Sequence, residues 1–272
     1  MWPLNRAIGG LIDGLLFPFR GLPAAVGLAV ISVLAAVGML LVFKVTSDQP
    51  RLAATKRHIQ AAILEIRLLS EDPRFVLAAQ RDVLRHSAVY VRLALVPLFV
   101  IALPLVILTA HLQAYYGYGG LKVGETAIVK AKLDADVLSA VPSMEGGAGV
   151  SVETPVLWIP SLHEADWRIA AQAPGEHELR VTIGNQVWMK SVLVSASPGR
   201  RSAKRPSAGL LDQLLYPSEP PIAGDAAVTG IEVTYPAGDV SLLGWDTHWI
   251  IAFLILSLLA ALALRGVMGV TF

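Results

Sequence analysis

Three long apolar runs dominate the hydrophobic pattern of the chain. The first, residues 22–43, holds no charged side chain. As a helix it rises about 33 Å, enough to cross a hydrocarbon layer of about 30 Å. It is too long for the apolar stretch of a cleaved leader, and a basic segment follows it at once, so it reads as a span. The second run, 93–112, contains Pro97 and Pro104. They are seven apart and so share a face, and proline is tolerated in a membrane helix where neighbours satisfy the freed carbonyls. The third, 249–264, is flanked by Trp245 and Trp249 at one end and Arg265 at the other, residues suited to the two bilayer interfaces.

The intervening stretches have other periods. Trp2, Leu4, Ile8, Leu11, Ile12, Leu15 and Leu16 fall at helical spacing and predict an amphipathic helix in the outer interface. In 50–92, Leu52, Ile59 and Ile66 recur every seven residues with Ile63 and Leu69 beside them, and Val76, Ala79, Val83 and Tyr90 follow. Asp72 before Pro73 marks a helix start between the two groups. The pattern predicts an antiparallel, coiled-coil-like hairpin whose second helix continues into span two.

From residue 124 the period falls towards two. Strands are predicted at 126–133, 150–153, 156–159, 167–171, 178–183 and 187–194, with a tight turn at Gly184-Asn185. This pattern suits a small immunoglobulin-like β-sandwich with Trp158, Trp167 and Trp188 in its core. Residues 196–209 read as a polar, basic, mobile linker, 210–215 as a short helix, and 231–235 as a strand completing the sheet.

Composition sharpens this picture. Hydrophobic residues make up 54% of the 272 positions and charged residues 16%, against roughly 25% charged in an average soluble domain. The net charge of +1 gives no electrostatic case for DNA. The absence of cysteine excludes disulfides and thiolate chemistry. Charge placement matters more than its sum. Lys44, Arg51, Lys56, Arg57, Arg67, Arg74, Arg81, Arg85 and Arg92 lie between spans one and two, and only Arg6 and Arg20 precede span one. Positive-inside reasoning therefore puts the hairpin and the C-terminus in the cytoplasm, with the N-terminus and residues 114–246 outside. The cluster Arg200, Arg201, Lys204 and Arg205 does not reverse this, because long domains translocate largely regardless of charge. The basic hairpin face suits anionic lipid headgroups, RNA (including a ribosome) or an acidic partner, as well as plain solvent.

No catalytic constellation emerges. His58, His86, His111, His163, His177 and His248 show no metal-ligand spacing on one helix, and there is no phosphate loop or nucleophile elbow. His163, Glu164 and Asp166 read as an ordinary loop. The span interiors carry no Asp, Glu, Lys or Arg, which disfavours a pump or coupled transporter. Ser32 reads as a small residue easing helix packing with Gly27, Ala35 and Gly38. No cofactor is expected.

The order of elements, and above all residues 43–99 (FKVTSDQPRLAATKRHIQAAILEIRLLSEDPRFVLAAQRDVLRHSAVYVRLALVPLF), resembles the Oxa/YidC insertase superfamily, which includes the insertase subunit of the ER membrane complex and archaeal relatives. It is also similar to uncharacterised bacterial membrane proteins sharing the hairpin and a G-Y-x-x-L-x-x-G-E stretch, here Gly117 to Glu125. The resemblance covers roughly residues 1–120 and 245–272, with the β-domain inserted between spans two and three. It implies a bacterial inner-membrane protein with a three-helix hydrophilic groove that receives client transmembrane segments. Those insertases usually carry an arginine in the groove, and spans one and three here have none. The nearest substitutes are Lys44 and Arg92 at the cytoplasmic mouth, Ser32 deeper, and Thr109, His111 and Gln113 at the outer end.

The resulting fold class is a membrane α-helical protein with three transmembrane helices and a cytoplasmic helical hairpin, plus an extracytoplasmic all-β, immunoglobulin-like domain. Its divisions are an outer amphipathic segment 1–21, span 22–43, hairpin 44–92, span 93–113, β-domain 114–246 with linker 196–209, span 247–265 and cytoplasmic tail 266–272. Two functions fit: an insertase or intramembrane chaperone, and a non-enzymatic scaffold or accessory subunit of an envelope complex that binds a partner through the β-domain. Either way the partners are membrane lipids with client segments or complex subunits. Cysteines placed at Ser70 and Ser197 are expected to react with an impermeant maleimide from opposite sides of the membrane; labelling of both from one side would refute the topology.

Overall fold

The computed structural model describes residues 1–68, 73–134, 141–195, 197–242 and 244–270. The Asp72 cap and the labelling position Ser70 lie outside the described residues. The chain divides into two compact units: residues 1–28 with 107–252, and residues 29–106 with 253–272. Among the described residues, three helices are long and apolar enough to cross a membrane, which marks the protein as membrane-embedded. They are α2 (Ala24–Thr46), α4 (Pro73–Tyr116) and α6 (Trp249–Met268). Pro97 and Pro104 lie inside α4 without ending it.

In the unit of residues 29–106 and 253–272, Ile31, Ser32, Ala36 and Leu40 form the buried stripe of α2, and Val33, Leu34 and Leu41 point outward. Apolar side chains on both faces are what a helix in lipid requires. α3 (Gln49–Leu68) begins at an Asp48 cap, whose Oδ1 accepts the Arg51 N–H at 3.1 Å. Leu52, Thr55 and Ala62 are its buried positions, Ile59 and Ile66 are half-buried, and Ile63 faces out. Spacings of three, four, three and four give α3 a coiled-coil seam. On α4, Val76, Ala79, Val83, His86 and Tyr90 repeat that spacing and are at least half-buried. The His58 and His86 rings stack across the pair with centroids 5.0 Å apart.

The other unit opens with α1 (Trp2–Leu16) and holds the β-region. All its ladders are antiparallel. One sheet runs β3 (Val150–Val152), β5 (Glu164–Ala171), β1 (Thr126–Leu133), β9 (Val228–Val233), β8 (Lys204–Arg205), with β4 (Leu157–Ile159) also on β5. The other runs β2 (Ser143–Glu145), β6 (Gly175–Ile183), β7 (Gln186–Val194). Alternate residues of both sheets enter one core: Val129 and Ile169 from the first, Leu179, Val181 and Val192 from the second. Trp167 and Trp188 are buried there, as the sequence predicts, and Trp158 packs at its margin. Gly184 takes a φ of 58° at the first position of the two-residue β6–β7 turn, where a side chain would be strained.

Four strands go beyond the sequence reading: β2, β8, and the hairpin of β10 (Asp239–Leu242) with β11 (Trp245–His248) that leads into α6. All are four residues or shorter, too short for period-two alternation to stand out. The stretch read as a mobile linker instead carries β8, and Arg201, Ser202 and Ala203 are buried. Trp249 opens α6. It is fully buried and its indole N–H donates to Gln113 Oε1 at 2.9 Å, whereas Trp245 is 82% exposed.

Alternation along β7 turns Lys190 into the core between Trp188 and Val192. Its ammonium is 0% exposed and donates to Glu219 Oε1 at 2.8 Å, Ser202 O at 2.6 Å and Ser191 O at 2.9 Å. Burial pulls its pKa down and the Glu219 carboxylate pushes back up. Lys190→Ala, which strands Glu219, is expected to cost about 3–5 kcal/mol in denaturant unfolding. The double change Lys190→Met with Glu219→Gln should recover much of that loss; a double variant as unstable as the single one would show that the pair is not the cause.

Candidate functional site

Polar side chains gather where α1 meets the C-terminal end of α4. The buried face of α1 is Asn5, Gly9, Ile12 and Leu16, at helical spacing. Leu4, Leu11 and Leu15 are exposed. Large apolar side chains thus stand on both faces, which suits a helix whose outer face meets lipid. Asn5, 2% exposed, donates from Nδ2 to Gln213 O at 2.7 Å. Its own carbonyl lies 3.2 Å from His111 Nε2, and His111 Nδ1 lies 2.9 Å from Ile107 O. Whichever ring nitrogen carries the proton has a carbonyl acceptor.

Asp13, eight residues along the same face, accepts the Tyr115 hydroxyl. It also pairs with Arg200 at 3.3 Å and, more loosely, with Arg20 at 3.8 Å. A Cβ on Gly9 would lie 2.7 Å from Arg200 Nη1, so glycine here leaves room for the guanidinium to reach Asp13.

Arg201 completes the cluster. It is 2% exposed, and its backbone N–H donates to Ala114 O at 2.8 Å. Its guanidinium donates to Tyr118 O at 3.2 Å, Ser197 O at 2.7 Å and Ser195 O at 3.0 Å, with Gly199 O at 3.4 Å. A cation beside the C-terminal carbonyls of a long helix is favourable, although burial lowers its pKa. Nearby, burial pushes the Asp212 carboxyl up, but the Lys204 ammonium at 2.6 Å and the Ser207 N–H at 2.9 Å outweigh it and hold the pKa below the usual value.

Of the residues singled out from the sequence, Thr109, His111 and Gln113 belong to this unit, and Ser32, Lys44 and Arg92 to the other. His111 and Gln113 take part in the cluster just described. Lys44 Nζ donates to Met268 O at 2.7 Å and so caps the end of α6. Arg92 is exposed, Ser32 is buried, and among the described residues neither Lys44 nor Arg92 is in an ion pair. Among α2, α4 and α6 lies a cleft of about 370 Å³, lined by residues such as Met39, Phe43, Ile101, Leu105, Leu254 and Leu258. Ser257 is its one polar side chain, and that hydroxyl donates to Leu254 O at 3.1 Å. No group of three or more His, Cys, Asp or Glu able to hold a metal occurs among the described residues.

Sequence reasoning missed Asn5, Asp13, Arg200 and Arg201. One signal was present: Asn5, Gly9 and Asp13 repeat every four residues within an otherwise apolar segment. Comparison with family models, with curated proteins and with solved structures finds no match. Asn5→Leu, which removes the donor to Gln213 O, is expected to cost about 1–3 kcal/mol of stability in detergent and to expose α1 to protease; unchanged protection would show that α1 does not depend on this bond.

Proposed function

We propose that the protein is a non-enzymatic membrane scaffold, an accessory subunit of a bacterial envelope complex. In this reading it grips an apolar partner segment in the membrane and presents its β-domain, immunoglobulin-like in kind, on the outer side. Its N-terminus is outside and its C-terminus in the cytoplasm of the inner membrane. The observation that carries this reading is the apolar lining of the cleft among α2, α4 and α6. An insertase of the Oxa/YidC type needs a hydrophilic groove that wets the path of polar flanks. Of the two charges at the expected groove mouth, Lys44 is engaged with Met268 O and Arg92 is exposed. An apolar cleft of this size suits an aliphatic side-chain ridge, held by packing rather than by hydrogen bonds.

The insertase or intramembrane chaperone remains the second reading. It is favoured by the helical hairpin whose second helix runs without a break into a span, as the insertase resemblance implies. Purification in a gentle detergent followed by mass spectrometry separates the two. A scaffold should bring down partners in fixed stoichiometry, and Leu258→Trp, which fills the cleft, should release them. Wild-type protein recovered without stoichiometric partners, together with defective insertion of small membrane proteins on depletion, would overturn the scaffold reading.

A further inference from the structure

Beside the α1 cluster lies a second recess of about 610 Å³, lined by Asp13, Arg20, Glu176, Ser195, Ser197 and Arg200 among others. It falls within the roughly 300–1,000 Å³ of small-molecule sites. Its wall carries two guanidinium groups and two carboxylates. Asp13 sits between Arg200 at 3.3 Å and Arg20 at 3.8 Å. The Arg20 and Arg200 side chains remain 52% and 35% exposed, so N–H donors are left over for a ligand. Glu176, at the start of β6, is exposed and in no ion pair among the described residues.

The recess adjoins an apolar one. Arg20 and Pro198 line both, and the second continues along Leu16, Phe19, Pro23 and Gly27. Pro23 and Gly27 flank the start of the α2 span, and Arg20 precedes that span by four residues. Charged groups thus stand at the level of lipid headgroups, with apolar surface running on towards the acyl layer.

We propose that this recess binds the headgroup of a zwitterionic, amine-bearing phospholipid, with Arg20 and Arg200 on the phosphate and Asp13 and Glu176 on the primary amine. Guanidinium groups match phosphate oxygens in a bidentate fork. The two carboxylates decide which phosphate lipid fits. A purely anionic headgroup offers them no positive charge, and its net negative charge is repelled by them. A choline headgroup carries its positive charge without an N–H. An ethanolamine headgroup satisfies both signs. The site depends only on membrane embedding and holds whether the protein is a scaffold or an insertase.

The test uses the full chain in detergent, with native mass spectrometry and thermal unfolding as readouts. Dioleoyl phosphatidylethanolamine, phosphatidylglycerol and phosphatidylcholine are added separately. Phosphatidylethanolamine should be retained in preference to the other two and should raise the unfolding temperature. Arg20→Gln with Arg200→Gln should weaken its retention roughly tenfold or more, the loss expected for charge-assisted hydrogen bonds. Glu176→Gln, an exposed change that leaves the fold intact, should reduce the preference over phosphatidylglycerol while sparing retention itself. Inorganic phosphate and free phosphoethanolamine should have little effect, because neither reaches the apolar surface. Stabilisation by inorganic phosphate equal to that by the lipid would make this a free-phosphate site and overturn the proposal. So would equal retention of the three lipids, or wild-type retention by the arginine variant with its unfolding temperature unchanged.

Discussion

Arg201 holds together the part of the molecule in which helix and sheet meet. A helix that leaves the membrane ends in carbonyls without intrahelical partners, and lipid cannot supply donors for them. Here Arg201 serves both that end and the chain around it: its backbone N–H meets Ala114 O near the end of α4, and its guanidinium gathers carbonyls from Tyr118, just past the helix, and from Ser195, Ser197 and Gly199 after β7. The exit of β7 is thereby fastened to the exit of α4, and that junction places Arg200 beside Asp13 and α1. An aliphatic residue at 201 would keep the bond to Ala114 O but remove the guanidinium donors from Tyr118, Ser195, Ser197 and Gly199.

The same economy governs the edge of the smaller sheet. Among the described residues β7 has a neighbouring strand in β6 and, apart from a single bridge between Val194 and Leu121, none on its other side, a position open to unwanted pairing. Glu219 closes it by accepting the Ser191 N–H and hydroxyl together with Lys190 Nζ, and Arg205 donates to Met189 O. Charges that look misplaced in a strand thus cover its open edge.

How much of this is legible in the sequence depends on the range of each interaction. The three spans stand out because lipid imposes long apolar runs. β1 falls on its predicted residues and β7 within one of them, because each buries alternate side chains. Lys190 was legible in principle, since Trp188 and Val192 fix the inward phase of the strand. The polar cluster was not. Asn5 reaches Gln213 across 208 residues and Tyr115 reaches Asp13 across 102, and no local pattern announces such pairs. Arg200 and Arg201 stand in a basic stretch that by composition resembles a solvated linker, and only the carbonyls around Arg201 give it a buried role. Nor does a tryptophan at the end of a span announce its partner within the protein: Gln113, which accepts the Trp249 indole N–H, lies 136 residues away.

The strand order also governs how the protein can be made. β1, the first strand synthesised, lies between β5 and β9, and Val129 pairs with Val233. A ribosome must add about a hundred further residues before that neighbour exists, and contacts so distant in sequence form slowly. Until then the β9 side of β1 stays open, and Lys190 waits for Glu219. The α6 span follows β9 almost immediately. The β-domain can therefore close only at about the time the last span is delivered to the bilayer, so its folding and the completion of the membrane helices fall within one short interval of biogenesis.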